Sequence, residues 1–280
     1  MLAYKFSSMQ GSLFVKSDRN HPGGPSALSS VGRLRVRQRT SDRVYEELAV
    51  AIRDLRIEPG ASLSETDLAE QLQVSRTPLR EAIARLAEAG LVSVVPQVGT
   101  RVEPIRLHDV EQARFVRESL ELAAFAAACE KPERDVSGLR TLLAEQERCH
   151  QAHDLGGFFA ADEALHRQIF EMSGYPGAWQ LMQPMKMHLD RFRRLSLPDP
   201  RTVRVLIDEH TAIVDALESG DAVHGHTHIS KHARRALQDA PDLQARYPRY
   251  FAGQAGPAMP AADGRLRAGP ALHSLWGAPS

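Results

Sequence analysis

Asp162 and His166 stand four residues apart, so on a helix both side chains leave the same face. His210 follows further on, inside Ile207-Asp208-Glu209-His210, and His232 comes 22 residues after it. One carboxylate and three imidazoles form a ligand set for a divalent first-row metal, zinc first, with manganese or nickel also compatible. An Asp-x-x-x-His pair alone is weak evidence, because most helical histidines serve packing or solvation. Three more imidazoles, His224, His226 and His228, precede His232. His224, His228 and His232 share one helical face, which is either a rival surface metal site or a solvated stripe. A metal held by His and Asp can activate water, so a metal-dependent enzyme is the alternative to a binding role. Against it, the chain has no base at a spacing such as His-Glu-x-x-His.

A second constellation runs from Val74 to Gly90. Ser75 or Thr77 can accept a backbone N–H at a helix start, and Pro78 sits in the first turn, where its missing N–H costs nothing. Leu79, Ala82, Ile83, Leu86 and Ala87 recur at helical spacing until Gly90 stops the run. Helix N-termini favour anions, and Ser75, Arg76, Thr77 and Arg80 gather at this one. Such a surface fits a DNA major groove, although a lone amphipathic helix with solvated arginines would read the same way.

The segments around that helix decide between the two. A helix from Ser41 or Asp42 to Ile57 precedes Glu58-Pro59-Gly60. Ser64 then caps a second helix, with Asp67 three residues on, and Gln73-Val74 is a tight turn. After Gly90, Leu91–Val95 and Thr100–Val102 read as a β-hairpin with Gly99 near its tip. Helix, helix, turn, helix and hairpin is the order of a winged helix. Pro104–Leu107 is a short linker. Beyond it the pattern is all helical, with six long helices between about Val110 and Ala240 separated by Gly or Pro connections. The expected fold class is therefore mainly α: a winged helix-turn-helix over 41–105, then an antiparallel bundle over 106–251. Residues 1–40, which include the alternating Arg33, Arg35, Arg37 and Arg39, and the Gly/Ala/Pro-rich residues 252–280 are expected to be disordered tails. The arginines are either a basic arm for phosphate contacts or part of a solvated tail.

On these residues the first segment resembles the N-terminal domain of the GntR family of bacterial transcription regulators. The motifs are Glu58-Pro59-Gly60, Leu63-Ser64-Glu65, Asp67-Leu68-Ala69, Val74 through Ala82, Gly90-Leu91-Val92 and Gly99. The resemblance implies a homodimer on a palindromic operator in double-stranded DNA. Ser75, Arg76, Thr77 and Arg80 would serve the recognition helix and Gly99 the wing. Gln97 stands where relatives often carry a basic wing residue, and Thr66 where many carry arginine. The helical segment resembles the FCD domain of the FadR subfamily through Arg117-Glu118-x-Leu120-Glu121, Asp162-x-x-x-His166-x-x-Ile169, Glu209-His210, Ala216-Leu217-x-x-Gly220-Asp221 and His232. That resemblance implies a metal on Asp162, His166, His210 and His232, seating a small organic-acid effector. Arg117 would pair with the effector's carboxylate or form an internal salt bridge with Glu121. The function so implied is an effector-responsive transcription regulator, more often a repressor than an activator.

Bulk properties constrain rather than identify. Hydrophobic residues make up 42% of 280, enough for a sizeable core, and 35 basic residues balance 35 acidic ones. Residues 41–105 hold seven arginines, no lysine and eleven acidic residues, an awkward balance for a DNA-binding domain unless local geometry supplies the field. Cys129 and Cys149 fit no metal or redox spacing. With no apolar run of membrane length and no signal peptide read, the expected location is the cytoplasm.

Overall fold

The computed structural model describes residues 39–95, 97 and 99–253. The expectations for the two tails, Arg39 apart, lie outside these residues or at their edges. Helix α1 (Thr40–Arg53) buries Val44, Leu48, Ala51 and Ile52, and ends before Leu55, which adopts a left-handed backbone at φ 58°. The short strand β1 (Ser62–Leu63) leads into α2 (Glu65–Gln71), where Ser64 Oγ accepts from the Asp67 N–H at 3.3 Å, the predicted cap. Gln73 makes the turn with φ 51°. Helix α3 (Arg76–Glu88) buries Leu79, Ala82, Ile83 and Leu86, as their spacing predicted. Ser75 is its N-cap, but its side chain makes no capping bond.

Strands β2 (Val92–Val95) and β3 (Gly99–Val102) form the wing, with Val95 opposite Gly99. Gly99 has φ 118°, a conformation that favours glycine. The sheet order is β1-β3-β2, antiparallel throughout. Apolar side chains of α1, α2, α3 and the sheet share one core.

The bundle comprises α4 (Leu107–Cys129), α5 (Ser137–Gln151), α6 (Leu155–Ser173), α7 (Pro176–Ser196), α8 (Pro200–Ser219), α9 (Ala222–Arg235) and the short α10 (Ala240–Arg246). Gly156 and Gly157 fall inside the first turn of α6, where Asp154 Oδ1 accepts from the Gly157 N–H at 2.9 Å. Gly174 and Gly220 end α6 and α8 in the left-handed conformation. Helix α9 stops at Arg235, earlier than the expected Ala240. Helix α4 is central and packs on α6, α7 and α9, while α8 packs on α5 and α9. Phe115, expected on an apolar side of α4, is 60% exposed; Arg117, Glu118 and Glu121 are buried instead. Among the described residues no helix is long and apolar enough to cross a membrane. Cys129 and Cys149 are buried free thiols.

Helix α7 also touches the winged helix. The His188 Nε2–H donates to the carbonyl of Ala89, the C-cap of α3, at 2.9 Å. Arg191 donates to the Glu103 carbonyl at 2.5 Å, and Arg194 donates to Asp54, the C-cap of α1, at 2.7 Å.

Candidate metal centre and DNA-binding surface

Helices α6, α8 and α9 bring His166, His210 and His232 together although the sequence separates them. All three are buried, and one nitrogen from each lies within 4.8 Å of the others. Their rings pack at centroid separations of 4.6–5.2 Å. Each ring is fixed through Nδ1 by a residue the spacing argument had not given this role. Glu121 Oε1 lies 3.1 Å from His166 Nδ1, Gln146 Oε1 2.8 Å from His210 Nδ1, and Glu209 Oε2 3.2 Å from His232 Nδ1. An acceptor at Nδ1 holds the proton there and leaves the Nε2 lone pair facing the centre, the tautomer a metal needs. Only a helix-by-helix map of what packs behind each ring could have singled out Gln146.

Asp162 lies at the edge of this group. Its Oδ1 is 3.4 Å from His210 Nε2, yet both of its oxygens accept from Arg193 Nη2, at 2.8 and 2.7 Å. His210 Nε2 itself is buried without a hydrogen-bond partner. Burial penalises the charged Asp162, but Arg193, with His210 beside it, more than compensates and holds the carboxyl well below the usual range. Burial lowers His210 well below an ordinary imidazole, and His232 to about 4. His210 and His232 held neutral beside an ionised carboxylate, with His210 Nε2 orphaned, fit a divalent cation in donor chemistry.

Arg117 does not stand clear of this centre. Its Nε donates to Glu121 Oε1 at 2.7 Å, the internal salt bridge. Its Nη2 reaches His166 Nε2 at 2.8 Å and His232 Nε2 at 3.3 Å. A small cavity lined by Glu121, His166, Ile169, Phe170, Ile213 and Ile229 lies alongside. His224 and His226 are exposed and stand apart from the triad; His224 Nδ1 lies 2.6 Å from Asp221 Oδ2. His228 is half-buried and also outside the triad, so the stripe reaches the interior only at His232.

In the winged helix, Ser75, Arg76, Thr77 and Arg80 are all exposed at the start of α3, and Gly99 is exposed on the wing. Arg80 Nε donates to Glu65 Oε2 at 2.9 Å, and Arg76 Nη2 to Thr66 Oγ1 at 3.4 Å. The N-terminus of α2 thus holds both guanidiniums beside the start of α3. Several carboxylates of this acidic domain are paired: Asp42 with Arg85 at 2.8 Å, Asp54 with Arg53 and Arg194, Glu65 with Arg80.

Comparison with known proteins agrees with this geometry. The description "Bacterial regulatory proteins, gntR family" matches residues 40–102, and "FCD domain" matches residues 112–235. The chain is 38% identical over 222 residues to an HTH-type transcriptional regulator from an unstable DNA locus of Streptomyces ambofaciens, covering 78% of this chain and 92% of the relative. It is 32% identical over 193 residues to the HTH-type transcriptional repressor RspR of Escherichia coli K12, covering 68% and 85%. The solved structure of E. coli McbR/YncC shares the fold with a TM-score of 0.63 at 23% identity, covering 75% of this chain and 99% of that one. Regulators of this kind bind DNA and are not enzymes, which sets aside the metalloenzyme alternative. A winged helix with its guanidiniums held outward, joined to a bundle with a histidine-lined centre, therefore has a settled place: the chain belongs to the GntR family of bacterial transcription regulators, with an FCD domain following its DNA-binding domain.

Proposed function

We propose that this regulator is a repressor whose operator affinity is set by a small carboxylate metabolite held beside a divalent metal, zinc first, in the helical domain. The observation that carries the proposal is the convergence of three buried imidazoles, each with Nδ1 held by Glu121, Gln146 or Glu209. In this reading Asp162 joins His166, His210 and His232 as a ligand while Arg193 still holds its far side. A carboxylate has lone pairs enough for both. The metal supplies a Lewis-acid seat for an acid group, and Arg117 supplies a planar two-donor partner for a carboxylate. The working domains are residues 41–105 for DNA and 106–251 for metal and effector.

The DNA end reads as a homodimer on a palindrome, with Ser75, Arg76, Thr77 and Arg80 in the major groove and Gly99 on the wing. Exposed Phe115 on α4 and exposed Leu181 and Met185 on α7, which packs against α4, support a second copy as the cover for these apolar side chains. Helix α7 is the element suited to link the two ends. Arg193 grips Asp162, while His188, Arg191 and Arg194 grip the winged helix. An effector that binds two settings of α7 unequally shifts operator affinity by that difference, typically about 1–3 kcal/mol. That the related RspR of E. coli is a repressor supports the sign of control.

The test is operator selection from random duplex DNA, followed by fluorescence anisotropy with metal-loaded and metal-stripped protein and a panel of organic acids. A true effector changes operator affinity and binds differently when operator is present. If no acid does so with metal-loaded protein, the effector reading fails and DNA binding alone remains.

A further inference from the structure

We infer that Arg117 is an internal competitor for the metal: its guanidinium occupies imidazole lone pairs that an ion would need, and metal uptake expels it. This rests on the metal reading of the triad. The guanidinium only donates hydrogen bonds. Placed 2.8 Å from His166 Nε2 and 3.3 Å from His232 Nε2, Nη2 uses the two lone pairs that a metal would use. A zinc ion needs about 2.0–2.1 Å to each nitrogen, so ion and Nη2 compete for the same lone pairs and the same space. Their like charges add to the exclusion.

The same contacts set the tautomers of the centre. Arg117 donates to Nε2 while Glu121 and Glu209 accept from Nδ1, so His166 and His232 already hold the metal-binding tautomer. His210 is not reached by Arg117, and its Nε2 is left without a hydrogen bond. The plug is therefore incomplete on the side where Asp162 stands, 3.4 Å from that nitrogen.

Expulsion need not break the other end of the side chain. Arg117 Nε is anchored to Glu121, which also lines the small cavity beside His166. A guanidinium displaced from the imidazoles and kept near Glu121 meets that cavity, among Ile169, Phe170, Ile213 and Ile229. A carboxylate that captures it there removes the competitor. Metal and carboxylate thus favour one another's binding by linkage.

The experiment measures zinc and nickel affinity of the full chain by competition with a chromophoric chelator. It compares the unaltered protein, Arg117→Met, and Arg117→Met with Glu121→Gln. The double variant removes the buried carboxylate that Arg117 neutralises, while glutamine still accepts from His166 Nδ1. It answers the question where the single variant fails to fold. Either variant is expected to bind zinc about tenfold or more tightly than the unaltered chain, a difference of about 1.4 kcal/mol. A second arm needs no substitution: the arginine Nε–H resonance of Arg117, assigned by its loss in Arg117→Lys, shifts when zinc is added. Equal or weaker zinc affinity in both variants, or an Arg117 resonance unmoved by bound zinc, overturns the competitor while the metal site stands. Failure of the unaltered protein to bind either ion overturns the metal reading and this inference with it.

Discussion

Arg80 and Glu65 make a sharp test of the DNA-binding surface. Their ion pair is 2.9 Å long, but Arg80 is 66% exposed and Glu65 30%. An exposed pair of this kind contributes at most about 1 kcal/mol to folding. Arg80→Ala should therefore leave thermal stability within roughly 0.5 kcal/mol of the unaltered protein. Its effect on DNA should be much larger. A guanidinium that reads a guanine edge with two bonds contributes about 1–3 kcal/mol of discrimination, roughly 5- to 150-fold in affinity. If it meets a phosphate instead, affinity falls on all sequences and the slope of log K against log salt becomes shallower by about 0.9. Glu65 sharpens the distinction. A carboxylate next to phosphates repels DNA, so its place at 2.9 Å from Arg80 is useful only if it aims the guanidinium. Glu65→Gln should then lower preference for operator over scrambled duplex while binding to scrambled duplex holds or rises. The assay is fluorescence anisotropy on both duplexes at four or more salt concentrations, beside thermal melts of each variant. Unchanged preference and unchanged salt slope in Arg80→Ala would refute the placement of α3 in the groove.

Three further outcomes follow from the packing. Leu86→Ala removes a fully buried side chain from the winged-helix core and should destabilise that domain by about 2–5 kcal/mol in chemical denaturation. Asp54→Asn leaves Arg53 and Arg194 without their shared carboxylate; a loss of about 1–2 kcal/mol and faster amide exchange near the end of α1 are expected by hydrogen-exchange mass spectrometry. Metal-free protein should lose stability in two acid windows. Burial lowers the folded His232 to about 4 against roughly 6.5 when unfolded, and lowers His210 in the same direction. The unfolded chain binds more protons there, so stability is full above pH ~6.5 and falls towards pH ~4, by on the order of 3 kcal/mol for His232. Glu209 is about 2 when folded, because its bonds to His232 and Arg235 outweigh burial, so its contribution disappears only below pH ~4.5. Urea denaturation across pH 3–8 reads both windows, and if the triad holds the ion, added zinc should raise stability most near neutral pH and steepen its fall towards acid, because protons compete for the same nitrogens.

Much of this molecule was written along the chain. Ser64, Pro78, Gly90, Gly174 and Gly220 mark helix ends because caps and left-handed turns are local chemistry, decided within a few residues. The apolar period of α3 identified its buried face, and Ser75, Arg76, Thr77 and Arg80 were left exposed by the same geometry. The i, i+4 spacing put Asp162 and His166 on one face. Tertiary structure decided what a period cannot carry. Strand β1 has two residues, too few for any alternation, and exists because β3 offers it partners. Helix α4 turns Arg117, Glu118 and Glu121 inward and Phe115 outward. A charged side chain alone would avoid that interior; here Arg117 and Glu121 enter as a pair, and imidazoles from α6 and α9 complete their bonding. The contact of α7 with both α3 and Asp162, and the part Gln146 plays behind His210, depend on which helices meet, and that is decided by packing across the whole bundle.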